Sequence, residues 1–210
     1  MPFLHVTTHI PDHPYDGLLS EKGGTGFPTL MFLDAEGRRL LKHAGPRTVK
    51  GFEGTLAEVE QFQDLMQKAE AGDAKAATEL FIRQLQLEWF ETEEAQTKAA
   101  ALQEVSSAQK KEIDQLLVDT EVRCRATAAG KDMAKVREAG AHFVGMWEAK
   151  RIPASEDQLY VFWTMMARHA EDKGDKKLFK KIVGAFKDTI PGSSRYRPAL
   201  GELQDRLKEM

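Results

Sequence analysis

With 210 residues, 41% of them hydrophobic and 30% charged, the chain can form one large domain or two small ones. Its formal net charge of −3 and the lack of a basic stripe exclude a nucleic-acid partner, and no apolar run is long enough to cross a bilayer. The single cysteine, Cys124, excludes an intrachain disulfide and a cysteine-based zinc site. We expect no membrane partner, and a cytoplasmic location if Met1 is the true start, because the first residues lack a signal-peptide pattern.

The first part of the chain alternates strand and helix patterns. The β-branched stretch FLHVTT (3–8) predicts a strand. The segment YDGLLSEKGG (15–24) predicts two to three helical turns that end at Gly23 and Gly24. The continuous apolar run TLMFLD (29–34) then predicts a strand that is covered on both faces.

A hairpin and a helix are predicted next. The turn AEG (35–37) joins the apolar strand to RRLLKHAG (38–45), so these segments predict a β-hairpin. The segment 55–70 predicts a helix with Thr55 as its N-cap and Glu58 completing a capping box. The apolar face of this helix is formed by Leu56, Val59, Phe62 and either Leu65 or Met66.

The composition of the chain changes near residues 66 to 73. Four of the eight prolines fall in the first 28 residues, and glycine is dense up to Gly54 and sparse afterwards. Residues 1–66 carry a net charge of −3, whereas residues 67–210 are balanced. We therefore predict an α/β domain over 1–70 and an all-α domain over 71–210.

The order of elements in the first domain resembles the C-terminal half of a thioredoxin-fold domain. The matching stretches, about a third of the chain, are GFPTLMFLD (26–34), AEGRRLLKHAG (35–45) and GFEGTLAEVEQFQDL (51–65). In that family the proline is cis, and the residue before it pairs with an extended substrate. The resemblance implies that Pro28 is this proline, that Phe27 meets a peptide and that Thr29 is the first strand residue. A cis X-Pro bond is rare and persists where a tight local geometry needs it. The alternative is a trans Pro28 at the first position of a strand, which needs no function.

The reactive part of a thioredoxin-type site has no counterpart in this sequence. Such enzymes act through Cys-x-x-Cys at a helix N-terminus, and the resemblance implies that this motif lies upstream of FLHVTT, where the chain begins. Cys124 lies in a helical segment between Arg123 and Arg125, and we interpret it as a packing residue. We therefore expect no catalytic residue and no cofactor in this chain, and we leave open whether it belongs to an enzyme.

Without the cysteine-bearing strand, the strands at 3–8 and 29–34 have unpaired edges. The chain could be a fragment whose upstream part holds the redox motif, or a complete protein in which these strands pair directly. A second molecule could also fill the gap, which would give a homo-oligomer through the unpaired strand edges. We favour the fragment, because MPFLHVTT starts abruptly, as if inside a domain.

Three histidines near the start, His5, His9 and His13, recur every four residues. On a helix this spacing would suggest a metal-binding face, but Pro11 and Pro14 prevent a helix there. In an extended chain, residues four apart lie about 13 Å from each other, which is too far to share one metal. We therefore expect no metal site.

From Asp73 onward the sequence is almost entirely helix-forming. Its breaks predict seven helices, at 74–90, 93–104, 107–128, 132–149, 155–172, 175–188 and 198–209. The short connections imply that neighbouring helices are antiparallel. The segment 162–192 resembles a tetratricopeptide repeat, with Trp163, the pair Met166 and Ala167, and a closing Pro191. Departures from that pattern are Ala170 and Phe179, and the alternative is an irregular helical bundle.

Two functions are consistent with this sequence. The first is a thioredoxin-family protein, related to thiol–disulfide exchange, whose redox motif lies outside this chain. The second is a non-catalytic module that binds a protein or peptide through the Phe27–Pro28 loop and the helical region. Both interpretations imply a protein or peptide partner.

Overall fold

The computed structural model describes residues 17–22, 24, 26 and 28–209, and the chain divides into two compact units, Met1–Leu80 and Phe81–Met210. The predicted strand at 3–8 and the three histidines lie outside the described residues. Most described residues are helical, and a two-stranded sheet is present in the first unit. The described part of the chain contains no helix that is both long and apolar enough to span a membrane.

The first unit contains a β-hairpin between a short helix and a long one. Helix α1 (Leu18–Glu21) is followed by β1 (Met31–Leu33), β2 (Arg39–Lys42) and α2 (Val49–Glu70). The two strands are antiparallel, with Met31 opposite Lys42 and Phe32 opposite Leu41. This pairing confirms the predicted hairpin over 29–44.

Helix α2 begins six residues before the predicted start, and Thr55 is not its N-cap. The cap is Thr48, whose hydroxyl oxygen accepts a hydrogen bond from the Gly51 N–H at 3.1 Å. Gly51 allows a close approach in the first turn, because a Cβ there would lie 2.0 Å from the Pro46 carbonyl oxygen. Leu56 is 45% exposed, so the buried face of the helix is formed by Thr55, Val59 and Phe62.

The seven helices predicted after Asp73 are all present. They are α3 (Ala74–Gln86), α4 (Thr92–Ala101), α5 (Ser107–Ala129), α6 (Met133–Glu148), α7 (Glu156–Asp172), α8 (Lys176–Thr189) and α9 (Arg197–Glu209). The boundary between the two compact units falls within α3, whereas the sequence predicts a boundary at residue 70.

Side-chain caps and glycines define where these helices begin and end. The capping side chains are Ser106, Asp132, Ser155 and Asp175, and each accepts a hydrogen bond from a backbone N–H in the following turn. Gly130 and Gly174 follow the ends of α5 and α7 with φ values of 53° and 64°, which favour glycine. The breaks that the sequence predicts therefore correspond to real helix ends.

Helix α7 lies at the centre of the main core of the helical unit. Phe162, Trp163 and Met166 are fully buried among residues of α5, α6, α8 and α9. The Trp163 ring meets the Trp147 ring of α6 nearly at right angles, with centroids 5.4 Å apart, an arrangement that aromatic rings favour. Phe179, which departs from the tetratricopeptide pattern, is also fully buried in this core.

A second, smaller cluster in the helical unit joins α3, α4 and the start of α5. Its buried members are Phe81, Ile82, Leu85, Phe90, Ala95 and Ile113. The rings of Phe81 and Phe90 are stacked with centroids 5.7 Å apart. The helical unit therefore has two clusters of buried apolar side chains.

Candidate functional site

The loop implied by the thioredoxin resemblance is partly described. Pro28 is exposed, and the Thr29 hydroxyl donates a hydrogen bond to the Gly26 carbonyl oxygen at 2.7 Å. Phe27 lies outside the described residues. Among the described residues β1 pairs with β2 alone, so its other edge is open to a further strand there. Pro28 and Thr29 thus lie just before the strand that has this edge.

The turn of the hairpin is fixed by Asp34. Its carboxylate accepts hydrogen bonds from the N–H groups of Glu36 and Arg38 and from the Arg38 guanidinium, whose Nε lies 2.5 Å away. The partial loss of hydration around the Asp34 carboxyl would by itself raise its pKa. The hydrogen bonds from Arg38 have a larger, opposite effect, so the pKa of Asp34 is lowered. Gly37, with φ of 76°, completes the turn. This network holds the hairpin in one register.

His43 connects the hairpin to α2. Its ring is 6% exposed and stacks on Phe52 with centroids 4.2 Å apart. Nδ1 lies 2.7 Å from the Thr55 hydroxyl, and Nε2 lies 3.2 Å from the Pro46 carbonyl oxygen. Both ring nitrogens thus have a polar partner, and the Thr55 hydroxyl also donates a hydrogen bond to the Gly51 carbonyl oxygen at 3.2 Å. His43 is therefore a buried packing residue whose polar atoms are satisfied.

Cys124 does not have the surroundings of a reactive thiol. It lies in α5, is 9% exposed, and its sulfur is 4.0 Å from the Phe90 carbonyl oxygen. Burial raises the pKa of this thiol, whereas a nucleophilic cysteine needs a lowered pKa and access to solvent. The structure agrees with the interpretation of Cys124 as a packing residue.

A buried carboxylate, Glu121, joins α5 to α6 and to the segment that follows α6. It is 5% exposed, and one of its oxygens lies 2.6 Å from His142 Nε2. Arg125 Nε lies 3.7 Å from this same oxygen, and the other oxygen accepts a hydrogen bond from Arg151. Burial alone would raise the pKa of Glu121, but the bonds from His142 and Arg151 outweigh it and lower the pKa. The ionised form of Glu121 therefore stabilises the fold.

This lowered pKa predicts a loss of stability in acid. The contribution of Glu121 is present above the ordinary carboxyl pKa of 4.5 and is lost as the pH falls through its lower folded-state pKa. We expect the urea midpoint to fall more steeply below pH 4.5 in the native protein than in Glu121→Gln, which cannot titrate. Glu138→Gln, on the exposed face of α6, is the control and should keep the native profile. Equal profiles for native protein and Glu121→Gln would contradict this role.

A groove of about 400 Å³ lies between the first half of α5 and the segment that follows α6. Its lining combines four cations, an acid and two apolar side chains: Lys110, Lys111, Lys150, Arg151, Asp114, Val118 and Ile152. Lys150 has φ of 60°, a conformation that costs free energy for a residue with a side chain. Gln115 donates a hydrogen bond to the Ile152 carbonyl oxygen at 3.0 Å and supports the groove.

No group of three or more His, Cys, Asp or Glu side chains is arranged as metal ligands among the residues that the structure describes. Searches among protein families, curated proteins and solved structures found no match to this chain. The candidate sites therefore have to be judged on their own geometry.

Sequence reasoning missed several of these features for identifiable reasons. His43 follows Lys42, and Glu121 lies between Asp119 and Arg123, so neither differs in the sequence from a surface residue. Only the three-dimensional contacts reveal their burial and partners. The groove combines residues from two segments some forty positions apart, for which the sequence contains no local signal. Lys110 and Lys111 are adjacent basic residues in the sequence, but this pattern does not predict a groove.

Proposed function

We propose that the first unit is the C-terminal part of a thioredoxin-like domain, and that it takes part in thiol–disulfide exchange as the peptide-facing side of the site. The observation that carries this proposal is the antiparallel hairpin that directly follows Pro28 and Thr29 and is joined to α2 through His43 and Thr55. This order of hairpin and helix is the one that the resemblance implies. The open edge of β1 among the described residues suits pairing with an extended peptide.

In this proposal the cysteines lie outside the chain, because Cys124 is the single cysteine in the sequence and is buried. A thiolate supplied from outside would attack a disulfide of the bound peptide to form a mixed disulfide, and a second thiol would release the peptide in reduced form. The two electrons come from that external dithiol, which becomes a disulfide. Within this chain, Pro28 and Thr29 orient the peptide backbone.

Replacing Pro28 with alanine tests this proposal. We expect Pro28→Ala to weaken binding of a labelled extended peptide with one internal disulfide by about tenfold, or about 1.4 kcal/mol, because the loop loses its restricted backbone. Fluorescence anisotropy measures this affinity. Pro198→Ala, at an exposed position of α9, is the matched control and should bind like the native protein. Equal affinities for all three proteins would overturn the proposed role of Pro28.

A second candidate function is that of a non-catalytic binding module. The basic groove beside α5 favours it, because Lys150 lines this groove although its positive φ favours glycine. The groove would hold an extended segment with acidic residues facing its three lysines and an apolar side chain facing Val118 and Ile152.

Lys150→Gly tests this second function, because it should raise the stability of the protein and weaken peptide binding. The substitution should raise the free energy of unfolding by about 1 kcal/mol, because glycine adopts a positive φ without strain. It should also weaken binding of a labelled peptide of alternating glutamate and leucine by about threefold, because the groove loses a charge. Urea unfolding and anisotropy measure the two effects. A more stable variant with unchanged affinity would remove the groove as a binding site.

A further inference from the structure

Helix α8 carries a continuous strip of lysines on its solvent-facing side. The members of this lysine strip are Lys176, Lys177, Lys180, Lys181 and Lys187, and all are exposed. The opposite side of the helix, with Phe179, Ile182 and Phe186, is buried in the core. The near-neutral charge of the chain predicts no basic stripe, but the helical spacing of these lysines places them together on one surface.

Among the described residues, the lysines of the first two turns of α8 form no ion pair, and Asp188, beside Lys187, is the one acid on this helix. The acids that precede α8 are already engaged, since Glu171 binds Arg206 and Asp172 binds Arg137 at 2.9 Å. Asp175 caps the first turn of α8 by accepting a hydrogen bond from the Leu178 N–H at 2.8 Å. The positive charge of the strip is therefore free to attract a partner.

The position of these lysines opposes the stability of the helix that carries them. Lys176 and Lys177 lie in the first turn of α8, where the helix dipole favours negative charge and which contains no acid. The spacing also places Lys176 near Lys180, and Lys177 near Lys181, and like charges four residues apart repel each other. Residues that oppose local stability without an internal partner are typical of binding surfaces.

We propose that the lysine strip binds an acidic segment of a partner protein. From Lys176 to Lys187 the strip extends about 17 Å along the helix, which matches an extended run of about five residues. The aromatic and apolar side chains of α8 are buried, so the strip offers no ring for stacking on a nucleic acid and no wedge for a membrane interface. Lysines act as point charges that suit separate carboxylates, and the overall charge of −3 opposes long polyanions. This inference is independent of the redox proposal.

A pair of matched charge reversals tests the lysine strip. The strip variant carries Lys176→Glu and Lys180→Glu, and the control carries Lys131→Glu and Lys135→Glu near the start of α6. Both pairs are exposed, four residues apart and near a helix N-terminus, and both change the net charge by the same amount. The probe is a fluorescein-labelled decaglutamate peptide, with decaglutamine as its neutral counterpart, at low and physiological ionic strength.

We expect the strip variant to bind decaglutamate at least about tenfold more weakly than the native protein, and the control variant to lose less than about twofold. Thermal unfolding followed by circular dichroism should show that the strip variant is at least as stable as the native protein, because glutamate suits the first turn. Equal losses in both variants, no binding of decaglutamate by the native protein, or tighter binding of duplex DNA or of phosphatidylserine vesicles would each overturn the proposal.

Discussion

Trp163→Ala is expected to destabilise the helical unit by about 3–5 kcal/mol, a large part of the stability of a domain of this size. Trp163 is fully buried on α7, the helix that contacts α5, α6 and α8 in the main core. Alanine would remove the contacts with the rings of Trp147 and Phe162 and leave a cavity that the surrounding helices fill only in part. Urea unfolding followed by far-ultraviolet circular dichroism measures the loss. A cost below about 1 kcal/mol would contradict the central position of α7.

Trp163→Phe provides the control for this prediction. The indole N–H of Trp163 is buried without a hydrogen-bond partner among the described residues, so its removal also removes an unfavourable group. Phenylalanine keeps one aromatic ring in the core and should cost about 1–2 kcal/mol. A cost for phenylalanine equal to that for alanine would show that the stabilisation comes from the indole N–H, which both variants lack, and not from the packing of an aromatic ring.

Gly140→Ala should have the second largest effect. A Cβ at position 140 of α6 would lie 2.3 Å from the Met165 carbonyl oxygen and 2.9 Å from the His169 Cβ in α7. Both contacts are with rigid parts of the neighbouring helix, so α6 and α7 have to move apart. We expect a loss of about 2–3 kcal/mol in the free energy of unfolding, although alanine is the better helix former.

Gly145→Ala in the same helix is the matched control for Gly140. No atom lies within 4 Å of a Cβ at position 145, so the substitution should raise stability by about 0.5–1 kcal/mol through helix propensity alone. The two glycines should therefore give effects of opposite sign in the same denaturation measurement. An increase in stability for both substitutions would show that α6 and α7 are not in close contact at Gly140.

The helices after Asp73 are predictable from the sequence because caps and glycines mark their ends locally. Ser106 with Gln109 forms a capping box, and Gly130 and Gly174 adopt positive φ. The start of α2 is predicted six residues too late. Thr55 with Glu58 has the pattern of a capping box, but Thr48 caps the helix. Thr55 lies inside α2, where its hydroxyl is 2.7 Å from Nδ1 of His43. Local patterns identify candidate caps, and tertiary contacts select among them.

The candidate sites are less predictable than the helices. Pro28 and Thr29 are indicated by a resemblance over a short stretch, whereas the groove beside α5 requires segments distant in the sequence to come together. The lysine strip has a local signal in the repeated KK pairs of KKLFKK, but the near-neutral charge of the chain concealed it. Charge patterning on each predicted helix is therefore more informative than net charge.

Site-resolved nuclear magnetic resonance of the ¹⁵N-labelled chain, during titration with the extended disulfide peptide, locates the residues that bind the peptide. If the first unit is the peptide-facing side of a thiol–disulfide exchange site, the amide signals of residues 29–33, from Thr29 through β1, will shift with increasing peptide while those of α5 to α9 stay constant. No movement of the signals from Thr29 to Leu33 at saturating peptide, or shifts confined to the helical unit, would show that the first unit does not bind the peptide.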